Sequence, residues 1–191
     1  MTHIIPTPEA LLRRYIRAKD ENRPHLMART FAPDARLQMH LHTETISFPA
    51  ESIGVDAIAD TLVRDFGRQY DNVYTFYVTG RRPLADTATF ACPWLVGMTE
   101  KATGSVRVGC GRYEWTIDAQ RACVTALTIT ITHMSVLPAA CAEPMFAWLT
   151  SLGYPWTPPQ AIFAHAPADE AFGPVLDALR AACEPVGAIP A

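Results

Sequence analysis

The hydrophobic pattern changes period several times along the chain, and each change marks an element. In PEALLRRYIRAKDEN, residues 8–22, Leu11, Leu12, Tyr15, Ile16 and Lys19 recur at spacings of three and four, which puts them on one face of a helix. Thr7 is placed to cap that helix, Pro8 suits its first turn, and Glu9 sits at the positive end of its dipole. PHLMARTF reads as a short second helix, and Pro33 with Asp34 marks a turn before an alternating strand from Arg36 to about Phe48. A carboxylate at Asp34 suits the capping of turn amides. GVDAIADTLVRDFGRQY supplies a third helix with Ile58, Leu62, Val63 and Phe66 on one side and Gly67 disrupting it near its end.

Four strand patterns follow. NVYTFYVTG, TATFACPWLVGMTE, TGSVRVGCGRYEWTID and ACVTALTITITHMSV are rich in aromatic and β-branched residues, and the polar turn DAQR separates the last two. Long strands joined by short turns predict an antiparallel, strongly curved sheet. No strand-helix unit repeats and no glycine-rich phosphate loop occurs, so the class is α+β rather than a nucleotide-binding α/β fold. Beyond Ala142, EPMFAWLTSLG and DEAFGPVLDALRAA read as helices separated by the proline-rich PWTPPQ. The expected division is a domain over residues 1–141 and a helical extension over 142–191, packed on the core or on a neighbouring subunit.

Composition narrows the function classes. Of 191 residues, 49% are hydrophobic and 18% charged, which makes burial of some surface in a homodimer the default expectation. A formal net charge of -3 provides no general field for nucleic acid. No apolar run is long enough for a membrane span, and MTHIIPTPEALLRRYI lacks the pattern of an export signal. The five cysteines are odd in number, widely spaced and without a C-x-x-C pair, which favours reduced thiols and the cytoplasm.

Chemistry must come from scattered residues, because no nucleophile-elbow, zinc-protease or Walker pattern is present. In RLQMHLHTE, residues 36–44, His40 and His42 share a face with Gln38 and Glu44, while Leu37, Met39 and Leu41 occupy the other. That histidine pair is a metal-chelating, proton-transferring or merely polar strand face, and no third metal ligand beyond His133 suggests itself. His133 follows Leu127, Ile129 and Ile131 on one face of LTITITH. Lining a cavity it would stay neutral and serve as a base or donor; at the core edge it would only hydrogen-bond backbone. Tyr15, Trp94, Tyr113 and Trp115 offer O–H or N–H groups to an apolar pocket, or else simply pack, with Ile131 beside them. Cys110 lies between Gly109 and Gly111, where the missing side chains leave room for a ligand or accommodate curvature.

LLRRYIRAKDENRPHLMARTFAPDARL, GVDAIADTLVRDF and GRYEWTIDAQRACVTALTI together resemble the SnoaL-like branch of the NTF2-like superfamily, over residues 8 to 136. The resemblance implies a cone in which a curved sheet wraps an apolar cavity closed by N-terminal helices. It places Tyr15 where ketosteroid isomerase has its oxyanion-hole tyrosine. Met39 stands at the position of that enzyme's proton-shuttling aspartate and Cys110 near its second aspartate; neither can replace its counterpart, which argues against steroid-isomerase chemistry. The expected function is a cofactor-independent lyase, isomerase or hydrolase acting on a small apolar molecule. His133 would move the proton, Tyr15 would orient an oxygen, and His40 stands third. The alternative is a noncatalytic binding or assembly protein that dimerises through Thr128, Thr130 and Thr132, or a small subunit beside an oxygenase. Neither a cofactor nor a metal is implied. Strand phase decides the role of His40, since Met39 facing inward sends His40 and His42 outward.

Overall fold

In the computed structural model, residues 5–184 are described. Helix α1, Pro8–Asp20, starts at Thr7, whose hydroxyl accepts from the Ala10 amide at 3.3 Å, and buries Leu11, Leu12, Tyr15, Ile16 and Lys19. A 3-10 turn, Pro24–Arg29, leads into β1, Phe31–Leu41. After β2, Glu51–Ile53, a helical run covers α2, Val55–Ala59, a π-helical turn, Asp60–Arg64, and α3, Asp65–Gln69. Then come β3, Tyr70–Val78; β4, Thr89–Glu100; β5, Val106–Asp118; and β6, Cys123–Leu137. The chain closes with α4, Ala142–Ser151; β7, Trp156–Thr157; α5, Pro159–His165; and α6, Gly173–Cys183.

The sheet has the order β2-β1-β6-β5-β4-β3-β7. Strands β3 to β6 form an antiparallel meander, as their short connections require, whereas β1 runs parallel to β6 and β7 parallel to β3. Strand β1 differs from the sequence reading at both ends: it begins at Phe31, paired with Val124, and passes through Pro33 and Asp34 before regaining register at Arg36. A proline cannot donate to the ladder, so the irregular stretch accommodates it inside the strand. The strand stops at Leu41 rather than Phe48.

The two faces of the sheet carry separate apolar cores. On the inner face, α1 and the helical run pack over Leu37, Met39, Trp94, Tyr113, Trp115, Ile129 and Ile131. On the outer face, α4, α5 and α6 cover Phe76, Val78, Leu95, Val106, Val108 and Cys110 with Trp148, Ile162, Phe172, Val175 and Leu179. Strand β5 serves both through its alternation, with Val106, Val108 and Cys110 outward and Tyr113, Trp115 and Ile117 inward.

Strands β5 and β6 change register twice, between Thr116 and Ile117 and, nearer the cavity, between Cys110 and Gly111. Gly111 pairs with Ile131 and Cys110 with His133, so β6 holds one extra residue, Thr132, at that point. Gly111 makes this possible: a Cβ there would stand 1.8 Å from the Thr130 carbonyl oxygen and 2.8 Å from the Trp94 ring. The obstacle is backbone, which cannot swing aside. Gly111→Ala is therefore expected to destabilise the fold by about 2–4 kcal/mol, in the range for overpacking combined with backbone displacement. Urea denaturation would show it, whereas an unchanged midpoint would mean that β6 yields at no cost.

Candidate functional site

Between α1, the helical run and the inner face of the sheet lies a cavity of about 40 Å³. A water needs roughly 10–15 Å³ measured in this way, so the space admits a few waters or a very compact molecule. Its wall is mainly apolar, and three of its members are methionines, Met39, Met98 and Met134. Unbranched thioether side chains repack readily, so the volume can grow around a guest.

Polar groups enter this wall at few points. Tyr15 and Lys19, one helical turn apart on α1, both line it, as do Thr75, Trp94 and Tyr113. The Tyr15 hydroxyl and the Trp94 indole nitrogen are buried and have no hydrogen-bond partner. A buried unpaired donor costs about 1–3 kcal/mol, a penalty that an acceptor within reach of either group would relieve. The Tyr15 ring packs edge-on against Trp115 at 4.9 Å and Tyr113 at 5.9 Å, and Trp94 lies 5.7 Å from Tyr113, which fixes the donors on a rigid aromatic base.

Lys19 is the charged member. Its ammonium donates to the Thr75 hydroxyl at 2.7 Å, pairs with the Asp20 carboxylate at 3.0 Å, and stands 4.7 Å from the centre of the Phe66 ring. Asp20 also accepts from the Thr75 amide at 2.7 Å and hydroxyl at 2.8 Å. The buried charge is thus paired and hydrogen-bonded, which is the condition for keeping it inside.

Burial raises the Tyr15, Tyr77 and Tyr113 phenols well above their ordinary value; the Tyr113 phenol offsets part of this at Tyr15 from close by, short of a well-formed hydrogen bond between the two hydroxyls. Each remains a neutral O–H at physiological pH. Burial likewise pushes the Cys92 and Cys110 thiols up to about 12, which keeps them from acting as thiolates.

The sequence candidates separate into two groups. Tyr15, Trp94, Tyr113 and Ile131 line the cavity, whereas Trp115 lies outside that lining, packed against the Tyr15 ring. Cys110 is not a pocket residue: it faces the outer core, its sulfur 3.8 Å from the Val175 carbonyl on α6. His133 is displaced to the outer face as well, because the extra residue Thr132 breaks the alternation and hands the inner position to Met134. Its Nε2 lies 2.8 Å from the Ser135 hydroxyl. His40 and His42 are exposed, with Met39 taking the cavity side of β1. Neither His40 nor His133 can therefore reach a molecule held in the cavity. Among the described residues no cluster of His, Cys, Asp and Glu could hold a metal ion, and no helix is long and apolar enough to cross a membrane. The sequence reading passed over Lys19 as a site residue, although its place at the end of an apolar stripe, four residues after Tyr15, was the signal.

A curved α+β sheet with helices laid across its concave face and an apolar cavity between them is the NTF2-like fold. The chain is similar to an NTF2-like superfamily protein from Salmonella enterica serovar Typhimurium, with 13% identity and a TM-score of 0.51 over 65% of this chain and 88% of that one. It is also similar to a ketosteroid isomerase-like protein from Catenulispora acidiphila, at 15% identity and a TM-score of 0.51 over 64% and 85% of the two chains. A type 2 hexachlorocyclohexane dehydrochlorinase, LinA, gives 12% identity and a TM-score of 0.52 over 66% and 84%. No family model and no curated protein sequence matches the chain. At such identities the likeness establishes the fold and leaves the chemistry to this chain's own residues.

The raised thiols have a consequence for stability. Their unfolded counterparts ionise near 9, while Cys92 and Cys110 in the fold hold their protons to about 12. Unfolding therefore releases protons in this window, and stability falls as pH rises from about 9 towards 12. The buried phenols act in the same direction. Urea midpoints measured from pH 7 to 11 should be level at first and then decline; a level profile throughout would show that these groups are not buried.

Proposed function

We propose that the protein binds a compact, mostly apolar molecule within the cone and holds it by one neutral acceptor oxygen, such as that of a ketone, ester or ether. The observation that carries this reading is the pair of unpartnered donors, Tyr15 and Trp94, on the wall of one apolar cavity. The sign of the charge selects a neutral oxygen. Asp20 already compensates the Lys19 ammonium, so an entering carboxylate would lose its hydration without gaining a free cation. Small guests suit this fold elsewhere: the Catenulispora protein is in complex with trimethylamine.

A lyase, isomerase or hydrolase needs in addition a proton acceptor at the reacting atom. His133 and His40 lie outside the wall, so that reading rests on Lys19 and Thr75 and comes second. Tyr15 and Trp94 would then stabilise negative charge developing on the bound oxygen. Self-association would use the part of the outer sheet face that the C-terminal helices leave open, which includes His40 and Thr132.

Cyclopentanone and cyclopentanecarboxylate, titrated in parallel and followed by protein NMR, test the reading. The ketone should bind more tightly. Tyr15→Phe and Trp94→Phe should each weaken it roughly 2- to 10-fold, the worth of one neutral hydrogen bond, while His133→Ala and His40→Ala leave it unchanged. Equal binding by all four variants would overturn the assignment.

A further inference from the structure

Asp20 is the hinge between the cavity and the C-terminal extension. Its side chain is only 3% exposed, yet it receives a hydrogen bond from a residue more than a hundred positions away: the Tyr154 hydroxyl donates to Oδ2 at 2.8 Å. Tyr154 precedes β7, and that short segment is tied down independently. The Tyr77 amide donates to the Pro155 carbonyl at 2.7 Å, and the Trp156 ring stacks on Tyr77 with centroids 4.4 Å apart. The Tyr154 ring itself lies edge-on to Phe76 at 5.6 Å and to Tyr74 at 6.1 Å. A phenol fixed in this way has little freedom to lose when it bonds the carboxylate, so the bond is made at small entropic cost.

Two residues beside this link, Lys19 and Phe66, stand between the cavity and a second hollow. A solvent-facing hollow of about 510 Å³ is lined by Lys19, Asp20, Phe66, Tyr74 and Tyr154, among others. Lys19 and Phe66 line both this hollow and the cavity. The Lys19 side chain, stacked on Phe66, is therefore part of the partition between them.

We propose that Tyr154 is a positioning residue for the cavity: by holding Asp20 from the extension, it holds the Lys19 ammonium in the partition. A residue of the C-terminal segment thereby takes part in the wall of the cavity. This deepens the ligand-binding reading, but the geometry it concerns exists without any ligand.

The sequence contains two lysines, Lys19 and Lys101, which makes amine acylation a clean probe. The intact protein is treated with the N-hydroxysuccinimide ester of acetic acid, and the acetylation rate at each lysine is read by peptide mass spectrometry. Lys101 is exposed and should react fast, and Lys19 slowly. Tyr154→Phe keeps the ring, and should raise the Lys19 rate roughly 3- to 10-fold, the worth of a hydrogen bond to a charged group at a partly exposed site, with Lys101 unchanged. Asp20→Asn should raise it too, and adding Tyr154→Phe to Asp20→Asn should raise it no further, because both act through one link. Iodoacetamide labelling of Cys92 and Cys110 detects general loosening and should stay low in every variant. An unchanged Lys19 rate in Tyr154→Phe, additive effects in the double variant, or labelled buried thiols would each overturn the proposal. None of these outcomes bears on whether a ketone binds.

Discussion

A strand can carry an extra residue only where its neighbour yields, and the cavity end of β6 turns on one such place. Thr132 is the surplus residue in β6, and Gly111 on β5 yields to it. From Leu127 to Ile131 the odd positions of β6 face inward; beyond Thr132 Met134 takes that side, so it lines the wall and His133 does not. The vacancy at Gly111 also admits the ring of Trp94, a wall residue whose indole N–H has no partner. A single backbone irregularity thus removes an imidazole from the site and supports a donor there.

This irregularity also explains what could be read from the chain and what could not. The elements were legible because their signals are local: the Thr7 cap, the stripe of α1, the paired long strands and the Asp118 turn depend on neighbours in sequence. Tyr15, Trp94, Tyr113 and Ile131 were legible as wall residues because aromatic and aliphatic positions in such strands and helices fall on the buried face. His133 was misplaced because period-two reasoning assumes unbroken alternation, and a bulge leaves no mark at its own position. Its only trace was the glycine pair around Cys110, which the sequence left open between ligand space and curvature; the structure assigns it to packing beneath Met134 and Trp94. Lys19 was overlooked because lysines are seldom buried, and the carboxylate and hydroxyl that make its burial affordable come from Asp20 and Thr75, the latter 56 positions away.

The polar inventory of the cavity is lopsided, and that asymmetry limits its chemistry. Tyr15 and Trp94 offer hydrogens and have no partner, while the Lys19 ammonium is spent on Asp20 and Thr75. Raised phenols remain donors rather than becoming phenolates, and the raised thiols lie elsewhere. An apolar wall strengthens whatever hydrogen bonds a guest forms once it has displaced the water there. The arrangement is suited to gripping an oxygen and poorly suited to removing a proton.

Two cores on one sheet couple parts of the chain that composition alone would treat as separate. If α4, α5 and α6 were a mere appendage, the outer residues of β3, β4 and β5 would tolerate water; instead Phe76, Leu95, Val108 and Cys110 are fully buried beneath them. At about 1.5–3 kcal/mol for each large apolar side chain removed from water, this covering is a substantial part of what holds the meander together. The strands that carry Trp94 and Tyr113 into the cavity are held from behind by the extension, and Tyr154 reaches round the sheet edge to α1. The shape of the cavity is thus set from both faces of the sheet, and the extension belongs to the physical definition of the site.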